Sequence, residues 1–258
     1  MNITNYSEQG LFGSTMNWIN SRLPYLYKND IYPSWDIRNI NHGDPDDLNR
    51  IIPEIIAPNH DSNSSNEDVD LLDVERFQYE NFDDAHFYFN HFFSFSEDIV
   101  GLSKSISKDF KNCLGLHLRG YDKSLTNDKE NIPISNQDYI SKVKKLTETH
   151  SFESIFILSD DPGLKSFLSE QISSIFNVPI FQSPFKPIYH IDQKNRPDKL
   201  QLTKESVAEM LALSKCKLVL KNQSAFSSWA KILNPSIEMY RVSKCKRTWF
   251  PDYYLPEL

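Results

Sequence analysis

A short run near the middle of the chain combines an apolar alternation with two basic side chains. Residues 114–119 read Leu-Gly-Leu-His-Leu-Arg. Because neighbouring residues of a β-strand point to opposite faces, this two-residue period predicts a strand with His117 and Arg119 on one face near its end. Buried polar groups need partners, which an acidic side chain or an anionic ligand would supply. The run therefore indicates either an ion pair or an anion-binding site.

Two more polar clusters follow short apolar runs. Ser-Asp-Asp (159–161) comes after residues 155–158, and Lys-Asn-Gln-Ser (221–224) comes after residues 218–220. The second cluster opens a predicted helix, whose free N–H groups suit a phosphate that Arg119 would also bind. Two adjacent carboxylates suit sugar hydroxyls or the N–H edge of a base. Both clusters are also good helix caps, and all three meet only if their strands are neighbours.

The elements that would position these clusters are clearest in the second half of the chain. Strand and helix patterns alternate there, which is typical of a parallel, doubly wound sheet. We predict a Rossmann-like domain from about residue 112 onward. The predicted strands are residues 113–119, 155–158, 178–181 and 218–220, and the predicted helices are 137–149, one opening at Asp161-Pro162, 204–213 and 224–233.

The first half of the chain has a weaker pattern. A helix is predicted after Ser14, with a kink or break at Pro24, followed by a short strand within residues 31–37. Residues 59–68 are polar and predict an exposed loop. Residues 82–95 are rich in aromatic side chains, for which core packing is preferred over a sugar-stacking surface. A helix capped by Ser96 is expected to reach Phe110.

Composition restricts the classes of function. The 258 residues carry a net charge of −7, which gives no bulk support for binding nucleic acid. Three scattered cysteines without a CxxC pair favour a reducing compartment, and no His or Cys spacing predicts a metal site. We see no signal-peptide pattern or membrane-spanning run, so a cytoplasmic location is expected.

Several common nucleotide and hydrolase motifs are missing from the sequence. It has no GxGxxG, no GxxxxGK[ST] and no GxSxG. A phosphate would therefore have to be bound by Arg119 together with a helix N-terminus.

Three motifs resemble one enzyme family. The pattern His-x-Arg-x-x-Asp-Lys at residues 117–123 looks like the signature of the GDP-fucose-dependent fucosyltransferases. These include α1,6- and nodulation fucosyltransferases, with protein O- and α1,2-fucosyltransferases as relatives. Residues 155–162 resemble the family's strand ending in (Thr/Ser)-Asp-Asp, and residues 211–230 resemble its Ser-rich donor motif. The three motifs occur in the family's order.

The resemblance implies an α/β, GT-B-like fold of two Rossmann-like domains that face a cleft. Residues 1–111 would form an N-terminal domain on the acceptor side, and residues 112–258 the donor domain. The implied activity is inverting transfer of L-fucose from GDP-fucose to a glycan, without a metal ion or other cofactor. The implied partners are thus a nucleotide-sugar donor and a glycan acceptor.

The resemblance also implies which residues act. Arg119 would hold the β-phosphate, and His117 would lie along the nucleotide. The implied catalytic set is Arg119, Asp122 and Glu130. The implied donor-binding set is His117, Arg119, Tyr121, Lys123, Tyr139, Asp160, Asp161, Glu205, Gln223, Ser224 and Ala225.

The sequence departs from the family pattern at two points. Many relatives have a second arginine where this chain has Gly120. The acidic residue that acts as base in some relatives falls on Asn127, near Asp128 and Glu130. Other hypotheses therefore stay open: a transferase for another nucleotide sugar, an inactive relative that binds a nucleotide or glycan, and a purely structural α/β protein.

Overall fold

The computed structural model describes residues 1–8, 10–44, 46–63, 67–107, 110, 112–120, 134–185, 198–243 and 250–258. The chain divides into two compact units. One consists of Met1–Leu102 and Asp192–Ala208, and the other of Ser103–Ile191 and Glu209–Leu258. The first unit thus takes in a segment from late in the chain.

The first unit contains a small parallel sheet. Strand β1 (Asn2–Ser7) lies between β2 (Ser34–Asn39) and β4 (Asp68–Asp70), while β3 (Ile56–Pro58) pairs antiparallel with β5 (Phe93–Phe95). The sequence pattern did not predict β1, because two of the three residues on its buried face, Ile3, Asn5 and Ser7, are polar.

Short helices follow β1. A π-helical turn (Leu11–Thr15) leads into α1 (Met16–Asn20), and α2 (Leu23–Lys28) follows after a break. Pro24 lies in the first turn of α2, where its missing N–H is not needed. The predicted interruption is confirmed, although it comes just before the proline.

Most of the aromatic run at residues 82–95 forms a helix. Helix α3 (Phe82–Phe92) starts at Asn81, whose side-chain oxygen accepts a hydrogen bond from the backbone N–H of Asp84 at 2.8 Å. Phe89 and Phe92 are buried, as core packing predicts, whereas Phe87 is 49% exposed. Helix α4 (Glu97–Ile106) ends four residues before the predicted Phe110. The described residues 59–63 are exposed, as expected of a loop.

The second unit contains the predicted parallel sheet. Its order is β10-β9-β6-β7-β8, with β6 (Cys113–His117) central. The other strands are β7 (Ser154–Leu158), β8 (Ile180–Gln182), β9 (Leu218–Lys221) and β10 (Glu238–Arg241). Strands β6, β7 and β9 are buried along their whole length, which explains their short, continuously apolar sequences.

Helices alternate with these strands along the chain. They are α5 (Asn136–Thr149), α6 (Pro162–Ile175), α7 (Lys199–Leu213) and α8 (Ala225–Leu233). Helix α7 begins five residues earlier than predicted, and its residues are divided between the two units. The expected α/β class with a parallel sheet in the second half is confirmed.

Two further observations concern the described part of the chain. None of its helices is long and apolar enough to cross a membrane. Cys113 and Cys216 are buried free thiols. Cys245 lies outside the described residues.

Candidate functional site

The sheet order brings the three polar clusters together. Strand β6 lies between β9 and β7, and His117 pairs in register with Lys221 on one side and Leu158 on the other. The carboxyl ends of these parallel strands therefore meet at one edge of the sheet. This edge is where open α/β sheets bind their ligands.

The backbone around Arg119 is held by Asn222, which follows β9. The Arg119 N–H donates to Asn222 Oδ1 at 3.0 Å, and Asn222 Nδ2 donates back to the Arg119 carbonyl at 2.8 Å. This reciprocal pair joins the first and third clusters. Strand β6 itself ends at His117, two residues before the predicted end, so Arg119 lies in the segment after the strand.

The Arg119 side chain faces the second cluster. Its Nε lies 3.8 Å from Asp160 Oδ2, and both side chains are 21% exposed. That distance is longer than the 2.7–2.9 Å of a charge-assisted hydrogen bond, so this contact restrains the guanidinium weakly. A partly exposed pair of this kind is worth about 1 kcal/mol or less.

The two adjacent carboxylates, Asp160 and Asp161, accept hydrogen bonds from different parts of the chain. Asp161 is the N-cap of α6, because its Oδ1 accepts hydrogen bonds from the N–H groups of Gly163 (2.8 Å) and Leu164 (3.0 Å). Asp160 instead accepts from the Gly120 N–H at 2.7 Å. The capping interpretation is thus correct for Asp161, while Asp160 faces the site.

Gly120 is required by close packing. A Cβ atom added there would lie 2.6 Å from Asp161 Cβ, closer than such atoms approach in proteins. The position where relatives carry a second arginine is therefore blocked by Asp161.

We expect Gly120→Ala to lower the free energy of unfolding by about 1–3 kcal/mol, because overpacking shifts backbone. Gly101→Ala is the matched control. Gly101 lies inside α4 with no atom within 4 Å of an added Cβ, so alanine should stabilise that helix by about 0.5–1 kcal/mol. Urea denaturation measures both. Equal stability of the two variants would contradict the close approach.

The start of α8 carries buried polar groups that lack protein partners. Ser224 occupies the N-cap position, yet its side chain makes no capping bond. Its Oγ, both amide atoms of Gln223 and Nδ1 of His117 have no hydrogen-bond partner among the described residues. The three residues are at most 5% exposed. Each unsatisfied group costs about 1–3 kcal/mol, so together they indicate a polar ligand at this helix N-terminus.

His117 is neutral at physiological pH. Burial, together with the nearby positive charges of Lys221 and Arg119 and opposed by Asp252, lowers the pKa of its imidazole to about 3. Its ring centroid lies 5.4 Å from that of Phe226 in α8. The ring thus offers hydrogen bonding without charge.

Lys221 forms a buried cluster that the sequence analysis missed. Its ammonium donates to Ser228 Oγ at 2.7 Å and to the Asp252 carboxylate. A lysine that ends the apolar run Leu-Val-Leu was the available signal. Its acidic partner lies 31 residues downstream, which no sequence period reveals.

Tyr139 lies in the core of the second unit. It is fully buried, and its hydroxyl donates to the Leu220 carbonyl at 3.2 Å. Burial raises the pKa of this hydroxyl. Ala225 begins α8 beside Ser224. The implied donor-binding role of Tyr139 stays a prediction.

The structure does not test the remaining predicted site residues. Glu205 belongs to the first unit, where it accepts a hydrogen bond from Gln201 Nε2 at 3.0 Å. Its implied donor-binding role stays a prediction. Four others lie outside the described residues: Tyr121, Asp122, Lys123 and Glu130. Within the described ranges, no group of three or more His, Cys, Asp or Glu side chains is arranged to hold a metal ion.

No protein-family model matches the sequence, and no curated protein matches it. Several solved structures, however, are similar to this chain in fold. The NodZ α1,6-fucosyltransferase soaked with GDP-fucose has a TM-score of 0.59 at 12% identity, covering 91% of this chain and 92% of its own. NodZ from Bradyrhizobium has the same TM-score and identity, with 91% and 93% covered.

POFUT1 in complex with GDP is also similar, with a TM-score of 0.55 at 11% identity, covering 94% of this chain and 98% of its own. Such low identities make the likeness one of fold. The chain therefore has the α/β, GT-B-like fold of fucosyltransferases whose solved structures contain GDP-fucose or GDP.

Proposed function

We propose that this protein is a glycosyltransferase that transfers L-fucose from GDP-fucose to a glycan acceptor, with inversion at the anomeric carbon. The observation that carries the proposal is the set of polar groups at the carboxyl ends of β6 and β9. Arg119 and the start of α8 offer positive charge. Gln223, Ser224 and His117 offer buried hydrogen-bonding atoms that have no partner among the described residues.

The ligand chemistry that fits this set is a nucleoside diphosphate. The N-terminus of α8 presents free N–H groups and a partial positive charge, which favour phosphate oxygens. A guanidinium binds two oxygens of one phosphate in a fork. The similar fold of proteins solved with GDP-fucose supports the guanosine donor.

The chemical step would depend on charge stabilisation. When the bond from the sugar to the diphosphate breaks, negative charge builds on the β-phosphate oxygens. Arg119 and the N–H groups of α8 would stabilise that charge in place, which lowers the barrier without a metal ion. A carboxylate would take the proton of the acceptor hydroxyl as it attacks the opposite face. Asp128 and Glu130 lie nearest the predicted position of that base, Asp122 is predicted to shape the fucose pocket, and residues 1–111 are the predicted acceptor side.

A panel of nucleotide sugars tests the donor. We expect GDP and GDP-fucose to raise the melting temperature, because a ligand at 100 times its Kd stabilises the native state by about 2.7 kcal/mol. GDP-mannose and UDP- and dTDP-sugars are the comparison. Transfer of fucose to a glycan array should then persist in EDTA. Stabilisation by a uridine nucleotide alone would reject the fucose donor.

A second candidate is a transferase for another nucleotide sugar. Gly120 supports it, because Asp161 blocks the position at which related enzymes carry a further arginine. A donor site with one charge fewer favours a different sugar or diphosphate geometry. The same panel separates the two candidates. Binding of a nucleotide without hydrolysis or transfer would instead support a non-catalytic binding protein.

A further inference from the structure

A buried charged cluster lies directly behind the candidate site. Lys221 is 0% exposed and Asp252 is 1% exposed. The Lys221 ammonium donates to Ser228 Oγ at 2.7 Å and to the Asp252 carboxylate, and Ser228 Oγ in turn donates to Asp252 Oδ1 at 2.5 Å. The three side chains thus form one closed network.

This network connects β9 and α8, which carry the third polar cluster, and lies next to β6 in the sheet. Lys221 ends β9, and its Cα pairs in register with His117 of β6, so the two side chains share a face of the sheet. Ser228 lies one helical turn after Ser224 in α8, and its Oγ is 3.1 Å from the Ser224 carbonyl. Asp252 starts a 3₁₀ turn near the end of the chain.

The cluster is also connected to Arg119 through the residue that follows Lys221. The residue after Lys221 is Asn222, whose side chain makes both hydrogen bonds to the Arg119 backbone. A shift of Lys221 would therefore move the support of Arg119 together with that of His117 and Ser224.

Stability alone does not account for such a cluster. Replacing a buried ion pair with well-packed apolar side chains is often neutral or stabilising, because desolvation offsets the Coulomb attraction. Lys221 is fully buried beside three polar residues whose side chains have atoms with no hydrogen-bond partner among the described residues. This placement points instead to a role in arranging them.

We propose that Lys221 is a positioning residue, which with Ser228 and Asp252 holds the start of α8 and the ring of His117 in the arrangement that receives the nucleoside diphosphate. The inference rests on the proposed function for the identity of that ligand. The inference goes beyond that function because it assigns Lys221, Ser228 and Asp252 to the donor site. These three residues would act on the site without touching the ligand.

The charges around His117 give the proposal a distinctive signature. The charged groups that act on its ring are Lys221 and Arg119, which are positive, and Asp252, which is negative. Removing Lys221 should raise the pKa of His117, and removing the carboxylate of Asp252 should lower it. These opposite shifts test whether the charges of Lys221 and Asp252 lie close enough to the His117 ring to act on it, and the GDP affinity tests whether they position the site.

The experiment uses the full chain and two readouts. NMR titration follows the ring signals of the seven histidines, with His117→Gln identifying the relevant one. Calorimetry measures the Kd for GDP at pH 8. The variants are Lys221→Met, Asp252→Asn and the double variant Lys221→Met/Asp252→Asn, which leaves no buried charge unpaired and keeps the test valid if a single variant fails to fold.

We expect the double variant to fold, to bind GDP at least about tenfold more weakly, and to titrate His117 at a higher pH than the wild type. Lys217→Met is the matched control, because this exposed lysine lies just before the amino end of β9 and bonds Asn112. It should change neither readout. A folded double variant with wild-type GDP affinity and an unmoved His117 would overturn the proposal.

Failure of the proposed function is distinguishable from failure of this inference. If the wild type binds no guanosine nucleotide, the GDP donor is rejected. The His117 titration does not need a ligand, so it still decides whether Lys221 acts on that ring.

Discussion

Arg119→Ala should lower the rate of fucosyl transfer by about 10²–10³-fold while leaving the protein folded. The guanidinium is the predicted ligand of the β-phosphate, and loss of one preorganised donor to a developing oxyanion has an effect of that size. Folding should be preserved because the side chain is partly exposed and its 3.8 Å contact with Asp160 is worth about 1 kcal/mol or less.

Single-turnover kinetics with saturating GDP-fucose measure the effect, and urea denaturation checks the fold. Arg119→Lys should recover part of the rate, since an ammonium keeps the charge but not the fork. Lys217→Ala removes one positive charge near the opposite edge of the same sheet and should leave turnover unchanged. An Arg119→Ala enzyme of normal turnover would exclude this arginine from the chemistry.

Asp252→Ala should reduce the free energy of unfolding by about 3–5 kcal/mol. The substitution leaves the Lys221 ammonium fully buried without its carboxylate, and breaking one side of a buried pair has a cost of that order. Urea denaturation at pH 7 measures the change. Glu153→Ala, at an exposed position of the same unit, should stay within about 0.5 kcal/mol of the wild type.

The double variant Lys221→Met/Asp252→Asn should regain most of that loss, because it removes both charges together. A double-mutant cycle of Lys221→Met, Asp252→Asn and the double variant isolates the coupling of the two residues. If Asp252→Ala were as stable as Glu153→Ala, Lys221 would have to be paired or neutral in some other way.

Local sequence signals predicted the second unit well. The apolar runs of β7 and β9 and the proline after Asp161 each reflect short-range constraints: burial on both faces, or a missing N–H at a helix start. The predicted strands and most helices therefore agree with the structure within about two residues. Helix α7 is the exception, since its first turns pack by Lys199 and Thr203 against residues 40–49 of the first unit.

Local signals were weaker in the first unit. Its strands are short, and β1 buries Asn5 and Ser7 where a strand pattern requires apolar residues. The hydrogen bonds of a parallel sheet with β2 and β4 override that low apolar content. Such long-range pairing is not visible in a window of sequence.

The sequence by itself determined the alternation of strands and helices after residue 112, and with it the polar residues that end each strand, because burial and capping act over a few residues. The tertiary structure decided which strand ends are neighbours, that Asp161 caps a helix while Asp160 faces Arg119, and that Lys221 finds Asp252. Those outcomes depend on strand order and on contacts between residues 31 to 103 positions apart, which no local pattern encodes.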